Sequence, residues 1–168
     1  MKKRAFHLFI ASLLLSACSS TPIPSVSHYL LKSQGIGQEN RLLELNSIEI
    51  ADYINHRDIV LELEDGTFHR ADFHKWSEDL KSGIARIIEP TNPTASGTRI
   101  DLKIDRFHGL QSGGLVLSGS WRVADPENSP WKAFSLESKA NEPGYPSMIQ
   151  SLSQIMEELR KSIISEVT

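Results

Sequence analysis

The sequence predicts an α+β domain: a largely antiparallel sheet with two amphipathic helices packed on one face, a two-layer sandwich. Three observations carry this. Apolar residues alternate with polar ones at period two in Ile59–Glu64, Ile100–Asp105 and Leu115–Val123. Helical spacing occurs in two segments, one after Ser77 and one after Ser147. The elements run as strands, helix, three-strand meander, helix, which is not the strict strand–helix alternation of a wound parallel sheet. Parallel contacts between the two halves are left open by the pattern.

Taken in order, residues 28–32 (His28 to Lys32) read as a first strand, broken by Gly35 and Gly37. Leu42–Ile50 reads as a second, in which Leu43 and Leu45 fall out of phase with Ile48 and Ile50. That slip predicts a bulge near Asn46 and Ser47. Asp52–His56 is a short turn before the strand carrying Ile59, Leu61 and Leu63, and Asp65-Gly66 turns it into a hairpin partner over Thr67–Arg70. Ser77 is placed to cap a helix whose Leu80, Ile84, Ile87 and Ile88 share a face, ended by Pro90 and the loop 91–97. The strongest hairpin joins Ile100, Leu102 and Ile104 to Leu115, Leu117, Gly119, Trp121 and Val123 across the connection 109–114. A strand over Lys132–Ser138 follows, with Phe134 and Leu136 on one face. Ser147 with Gln150 gives a capping-box signature before the stripe Met148, Leu152, Ile155, Leu159 and Ile163. No repeat or low-complexity run interrupts the domain.

The amino terminus has a different character. Lys2, Lys3 and Arg4 precede the apolar stretch Ala5–Leu15, too short to span a bilayer, and Leu15-Ser16-Ala17-Cys18 follows. This resembles a bacterial lipobox, which implies cleavage between Ala17 and Cys18, the chain's one cysteine, and lipidation of its thiol. Several acyl chains at about 0.8 kcal/mol per buried methylene make a stable anchor where one would be marginal. The expected organisation is a cleaved signal at 1–17, a lipidated, flexible tether at 18–27 with prolines at 22 and 24, and one periplasmic domain at 28–168. At roughly 3.1 to 3.3 Å per residue, positions 19–27 reach at most about 30 Å, so the domain stays near its membrane. Ser19, where an aspartate would signal inner-membrane retention, implies sorting to the outer membrane with the domain on the periplasmic side.

Of 18 basic and 21 acidic residues, three basic ones lie in the signal, which leaves a mature net charge of about −6. That is a poor footprint for nucleic acid, and none is expected as a partner. A single cysteine leaves no intramolecular disulfide, so stability must come from packing.

Several stretches together resemble the PqiC lipoproteins, auxiliary components of transport systems built around MCE proteins. They are the lipobox with Ser19-Ser20, Asn40–Leu43 leading into Ile48–Ile54, and Trp76 before the helix of Leu80. The most specific are Phe107-His108-Gly109, Gly113–Val116, Leu117–Trp121, Phe134–Glu137 and Gly144-Tyr145. Many relatives carry proline where Asp52 precedes Tyr53 here. The resemblance implies a non-enzymatic outer-membrane lipoprotein that docks with an MCE-domain protein, supports lipid traffic between two membranes and envelope integrity, and forms a homo-oligomer. The alternative from another class is a lipoprotein that itself binds and carries a hydrophobic ligand between sheet and helices.

No catalytic, cofactor-binding or metal-ligating residue is assigned. His69, Asp72 and His74 are close in sequence, but zinc needs three or four convergent ligands and no second cluster is in view. Ser118-Gly119-Ser120 lacks the nucleophile-elbow pattern and lies in a strand. Gly35-Ile36-Gly37 is a turn, not a phosphate cradle. The pairs Glu62/Glu64 and Asp101/Asp105 read as solvated strand faces. Trp121 shares parity with the core. Tyr53, Trp76, Trp131 and Met156 are the candidate partner contacts, because large aromatic and flexible apolar residues concentrate at interfaces.

Overall fold

The computed structural model describes residues 24–33, 43–89, 97–126 and 128–167. The signal, Ala17, Cys18 and most of the tether lie outside them, as does the loop from Pro90 to position 96. The elements are β1 (Ser27–Tyr29), β2 (Leu43–Ile50), β3 (Asp58–Glu62), β4 (Phe68–Trp76), α1 (Leu80–Ile88), β5 (Thr98–Leu110), β6 (Gly114–Val123), β7 (Lys132–Lys139) and α2 (Tyr145–Glu166).

Among the described residues the strands form one mixed sheet in the spatial order β1-β4-β3-β5-β6-β7, with β2 also alongside β5. The 13-residue β5 organises it. One edge of β5 pairs in parallel with β2 through Thr98–Ile104 and with β3 through Gly109 and Leu110. Its other edge pairs antiparallel with β6, which pairs antiparallel with β7. The expected meander is therefore present, and most of the pairing is antiparallel. β3–β4 is the third antiparallel pair, and β1 adds to β4 in parallel at the sheet's edge. The bulge expected near Asn46 lies between Leu45 and Ser47. It leaves the Leu45 amide pointing away from the ladder, where the Glu89 carboxylate at the end of α1 accepts it at 2.6 Å.

α1 and α2 pack against each other; α1 also meets β2, and α2 meets β5, β6 and β7. The sheet face beneath them holds Ile100, Leu102, Ile104, Phe107, Leu115, Leu117 and Trp121, all 2% exposed or less. From the helices come Leu80, Ile84, Ile87 and Ile88, together with Met148, Leu152, Ile155, Leu159 and Ile163, the whole expected stripe. Each such Leu or Ile contributes about 1.5–3 kcal/mol when fully buried, so this single layer dominates the stability.

Local differences from the expected elements have identifiable causes. β1 ends at Tyr29, because the chain then leaves the sheet to tie onto α2: the Lys32 amide donates to Ser153 Oγ at 3.1 Å and Ser33 Oγ to Glu157 at 2.9 Å. β4 runs to Trp76 instead of ending at Arg70. The cap of α1 is Asp79, which accepts from the Ser82 amide at 3.2 Å. Ser77 is instead held by the sheet, its amide donating to the Tyr29 carbonyl at 2.8 Å. α2 starts one turn early, at Gly144 (φ 107°) with Pro146 in its first turn. Ser147 Oγ accepts from the Glu142 amide at 3.0 Å, closing the preceding loop rather than capping the helix.

Candidate functional site

The face opposite the helices carries two clusters of polar and aromatic side chains. Alternation along β5 and β6 sends Asp101, Lys103, Arg106 and His108, with Val116, Ser118, Ser120 and Arg122, to this side. At one end Asp101 is 3% exposed. Its carboxylate accepts from Asn46 Nδ2 at 2.7 Å, Ser47 Oγ at 2.6 Å and Arg122 Nε at 2.8 Å. The Asn46 and Ser47 hydrogen bonds, then Arg122, hold its carboxyl down at about 2. Asp101 is thus a buried, fully engaged carboxylate and not the solvated one expected from alternation. The β2 bulge is what delivers Asn46 and Ser47 to it. Over this network lies Trp131, 39% exposed, with Lys103 Nζ and the Arg122 guanidinium 4.7 and 4.9 Å from its ring centre. Such cation–π contacts are worth about 0.5–1 kcal/mol near the surface and hold the indole flat.

At the other end Tyr53, from the turn after β2, packs on Phe68 at 4.5 Å and edge-on to His108 at 5.8 Å. Phe68 remains 47% exposed, whereas His108 is buried at 1%. Burial pushes the Tyr53 hydroxyl up to about 12 and draws the His108 imidazole below its ordinary value. Glu62, half-buried in β3 and paired with Arg106, lies 3.6 Å from His108 Nε2, too long for a hydrogen bond. Glu62 too is more enclosed than its strand position suggested.

On the helix side His74 stacks on Tyr145 with ring centres 3.8 Å apart, and its Nδ1 lies 3.0 Å from Tyr29 Oη. These contacts join β1, β4 and the start of α2. His74 is therefore engaged with tyrosines, and among the described residues no three His, Cys, Asp or Glu side chains converge for a metal.

The candidate contacts divide. Tyr53 and Trp131 lie on the helix-free face and reach solvent. Trp76 and Met156 belong to the core, at 4% and 0% exposure, with Trp76 stacked on Phe107 at 6.4 Å. Trp76 sits at a β4 position that faces the helices, and Met156 on the inner side of α2, so neither offers a surface. Sequence reasoning missed His108 and Asp101, whose burial depends on cover from Tyr53 and the β2 bulge.

Residues 31–91 and 88–164 match the ABC-type transport auxiliary lipoprotein component family. The chain belongs to this family. Relatives that this auxiliary lipoprotein resembles include the intermembrane transport lipoprotein PqiC of Escherichia coli (strain K12) and that of Shigella flexneri. Each is 23% identical over 177 residues, covering 94% of both chains. The resemblance to PqiC lipoproteins read from the sequence thus holds along nearly the full length. Two crystal structures share the auxiliary lipoprotein's α+β fold. One, of an uncharacterized protein, has a TM-score of 0.73 at 22% identity and covers 86% of this chain and 99% of its own. The other, from Xanthomonas campestris, has a TM-score of 0.56 at 12% identity, covering 86% of each. No described helix is long and apolar enough to cross a membrane.

Proposed function

We propose that this auxiliary lipoprotein is the non-enzymatic docking component of an MCE-type intermembrane lipid-transport system, held on the periplasmic side of the outer membrane by lipid on Cys18. The observation that carries the reading is the end-to-end match to PqiC lipoproteins, 94% of both chains. The lipobox with Ser19 supports outer-membrane anchoring, since sorting follows the residue after the lipidated cysteine. Trp131 clamped over two cations, and exposed Phe68 packed on half-buried Tyr53 on the same face, suit a protein partner, because pre-ordered aromatics lose little entropy on binding. These residues are the candidate contacts with the MCE-domain protein. Assembly of several copies of the chain, and support of envelope integrity, belong to the same reading.

Anchoring is tested by expressing Cys18→Ala and separating membranes by density. Wild type is expected in the outer-membrane fraction, and the variant out of it with loss of envelope function. Normal outer-membrane fractionation of Cys18→Ala would overturn the anchor.

A further inference from the structure

We infer that the cleft between the β5–β6 turn and the start of α2 is a binding site for one acyl chain of a membrane phospholipid. The cleft is open to solvent on one side and offers about 530 Å³, within the size range of small-molecule sites. Leu61, Leu110, Pro143, Tyr145 and Met148 form its walls, while the exposed Gln111, Asn141, Glu142 and Lys139 contribute polar groups. An apolar interior with polar groups at its exposed edge suits a hydrocarbon chain whose head remains in water.

The floor depends on Gly109. A Cβ there would lie 2.4 Å from Met148 Sδ and 2.8 Å from Leu61 Cδ2. Without one, both side chains lie directly on β5 and leave the space above them open. Two other glycines shape the surrounding loops: Gly113 (φ 85°) in the β5–β6 turn and Gly144 (φ 107°) before α2. Their positive φ would strain any other residue.

The position of the cleft argues for a bilayer as the source of the chain. β1 enters the sheet at Ser27, opposite His74, and its Tyr29 lies 6.5 Å from Tyr145, a wall of the cleft. From there the chain runs alongside α2 in the same direction, meeting Ser153 and then Glu157. The residues before Ser27 therefore leave the domain at the end where α2 begins, which is the end with the cleft. Val26, 48% exposed, marks the exit. With positions 19–27 spanning at most about 30 Å, an anchor at Cys18 holds this end of the domain toward its membrane. This placement rests on the proposed anchoring; the fit of a chain to the cleft does not.

The test uses the mature chain, residues 18–168, with Cys18→Ser so that it carries no lipid of its own. Titration with cis-parinaric acid, whose fluorescence rises in apolar surroundings, is expected to saturate at one per chain. Leu110→Lys, which puts a charge on the wall, should weaken binding at least tenfold. Ser112→Trp, at the exposed turn, gives a second obstruction that leaves the core untouched. Incubation with phosphatidylethanolamine–phosphatidylglycerol vesicles, followed by removal of the vesicles, should leave one phospholipid per chain in native mass spectra. No saturable fluorescence from the folded wild type, or wild-type affinity in both variants, would overturn the site. Uptake of parinaric acid without uptake from vesicles would overturn the membrane source. Each result is independent of where Cys18→Ala fractionates.

Discussion

Gly119→Ala is expected to lower stability by about 3 kcal/mol or more, a fall of roughly 10 °C in Tm for a domain of this size. Gly119 lies in β6 opposite Ile104 of β5 and Phe134 of β7. A Cβ there would sit 2.0 Å from the Lys103 carbonyl oxygen, 2.9 Å from its carbon and 3.0 Å from Phe134 Cζ. The first two atoms are backbone, so no rotamer change relieves the overlap. The register shift between Ile104 and Arg106 brings that carbonyl close. Relief would require the β5–β6 ladder to part, and that hairpin carries the centre of the core. Thermal unfolding of Gly119→Ala beside Ser120→Ala, one residue away on the helix-free face, checks the expectation. A Tm within about 2 °C of wild type would show that the strands part easily.

Asp101→Ala should cost about 2–3 kcal/mol at neutral pH, since it removes a buried carboxylate that accepts three hydrogen bonds, from Asn46, Ser47 and Arg122. The effect should fade with acid. The folded carboxyl titrates at about 2 and the free one at 3.8, so the unfolded chain takes up the proton first as pH falls. The stabilisation is complete above the unfolded value and is lost as pH drops through the folded one. Urea midpoints for wild type and Asp101→Ala should therefore converge between pH 4 and pH 2. A gap that stayed constant over that range would assign the loss to packing rather than to the charge.

Both positions also show where the sequence is mute. The β5–β6 hairpin is legible because Ile100, Leu102 and Ile104 face Val123, Trp121 and Gly119 with unbroken alternation. β4 is not legible beyond Arg70, because the register slips opposite Ile59 and buried Ala71 is followed by exposed Asp72 and Phe73. The placing of β2 and β3 end to end along one edge of β5 joins segments tens of residues apart, and no local pattern encodes it. In α2 the apolar stripe is plain, but Met156 lies beside it on the same inward arc, so a residue that spacing alone set apart as a partner contact is core. Asp101 alternates like a surface residue, and its enclosure depends on the Asn46–Ser47 bulge, predicted as a kink but not as a source of donors. Trp131, beside Pro130 at the entrance to β7, is exposed, and the two cations beneath it come from β5 and β6, which no local pattern around Trp131 encodes.

The proposed role requires that this domain dock an MCE-domain protein. The direct measurement is sedimentation velocity of the lipid-free mature chain mixed with the purified periplasmic part of the MCE-domain protein from the same transport system. A saturable complex is expected, with Kd on the order of micromolar or tighter, weakened when Trp131 and Tyr53 are both replaced by alanine. Two separately sedimenting, folded proteins at about 100 μM each would contradict it.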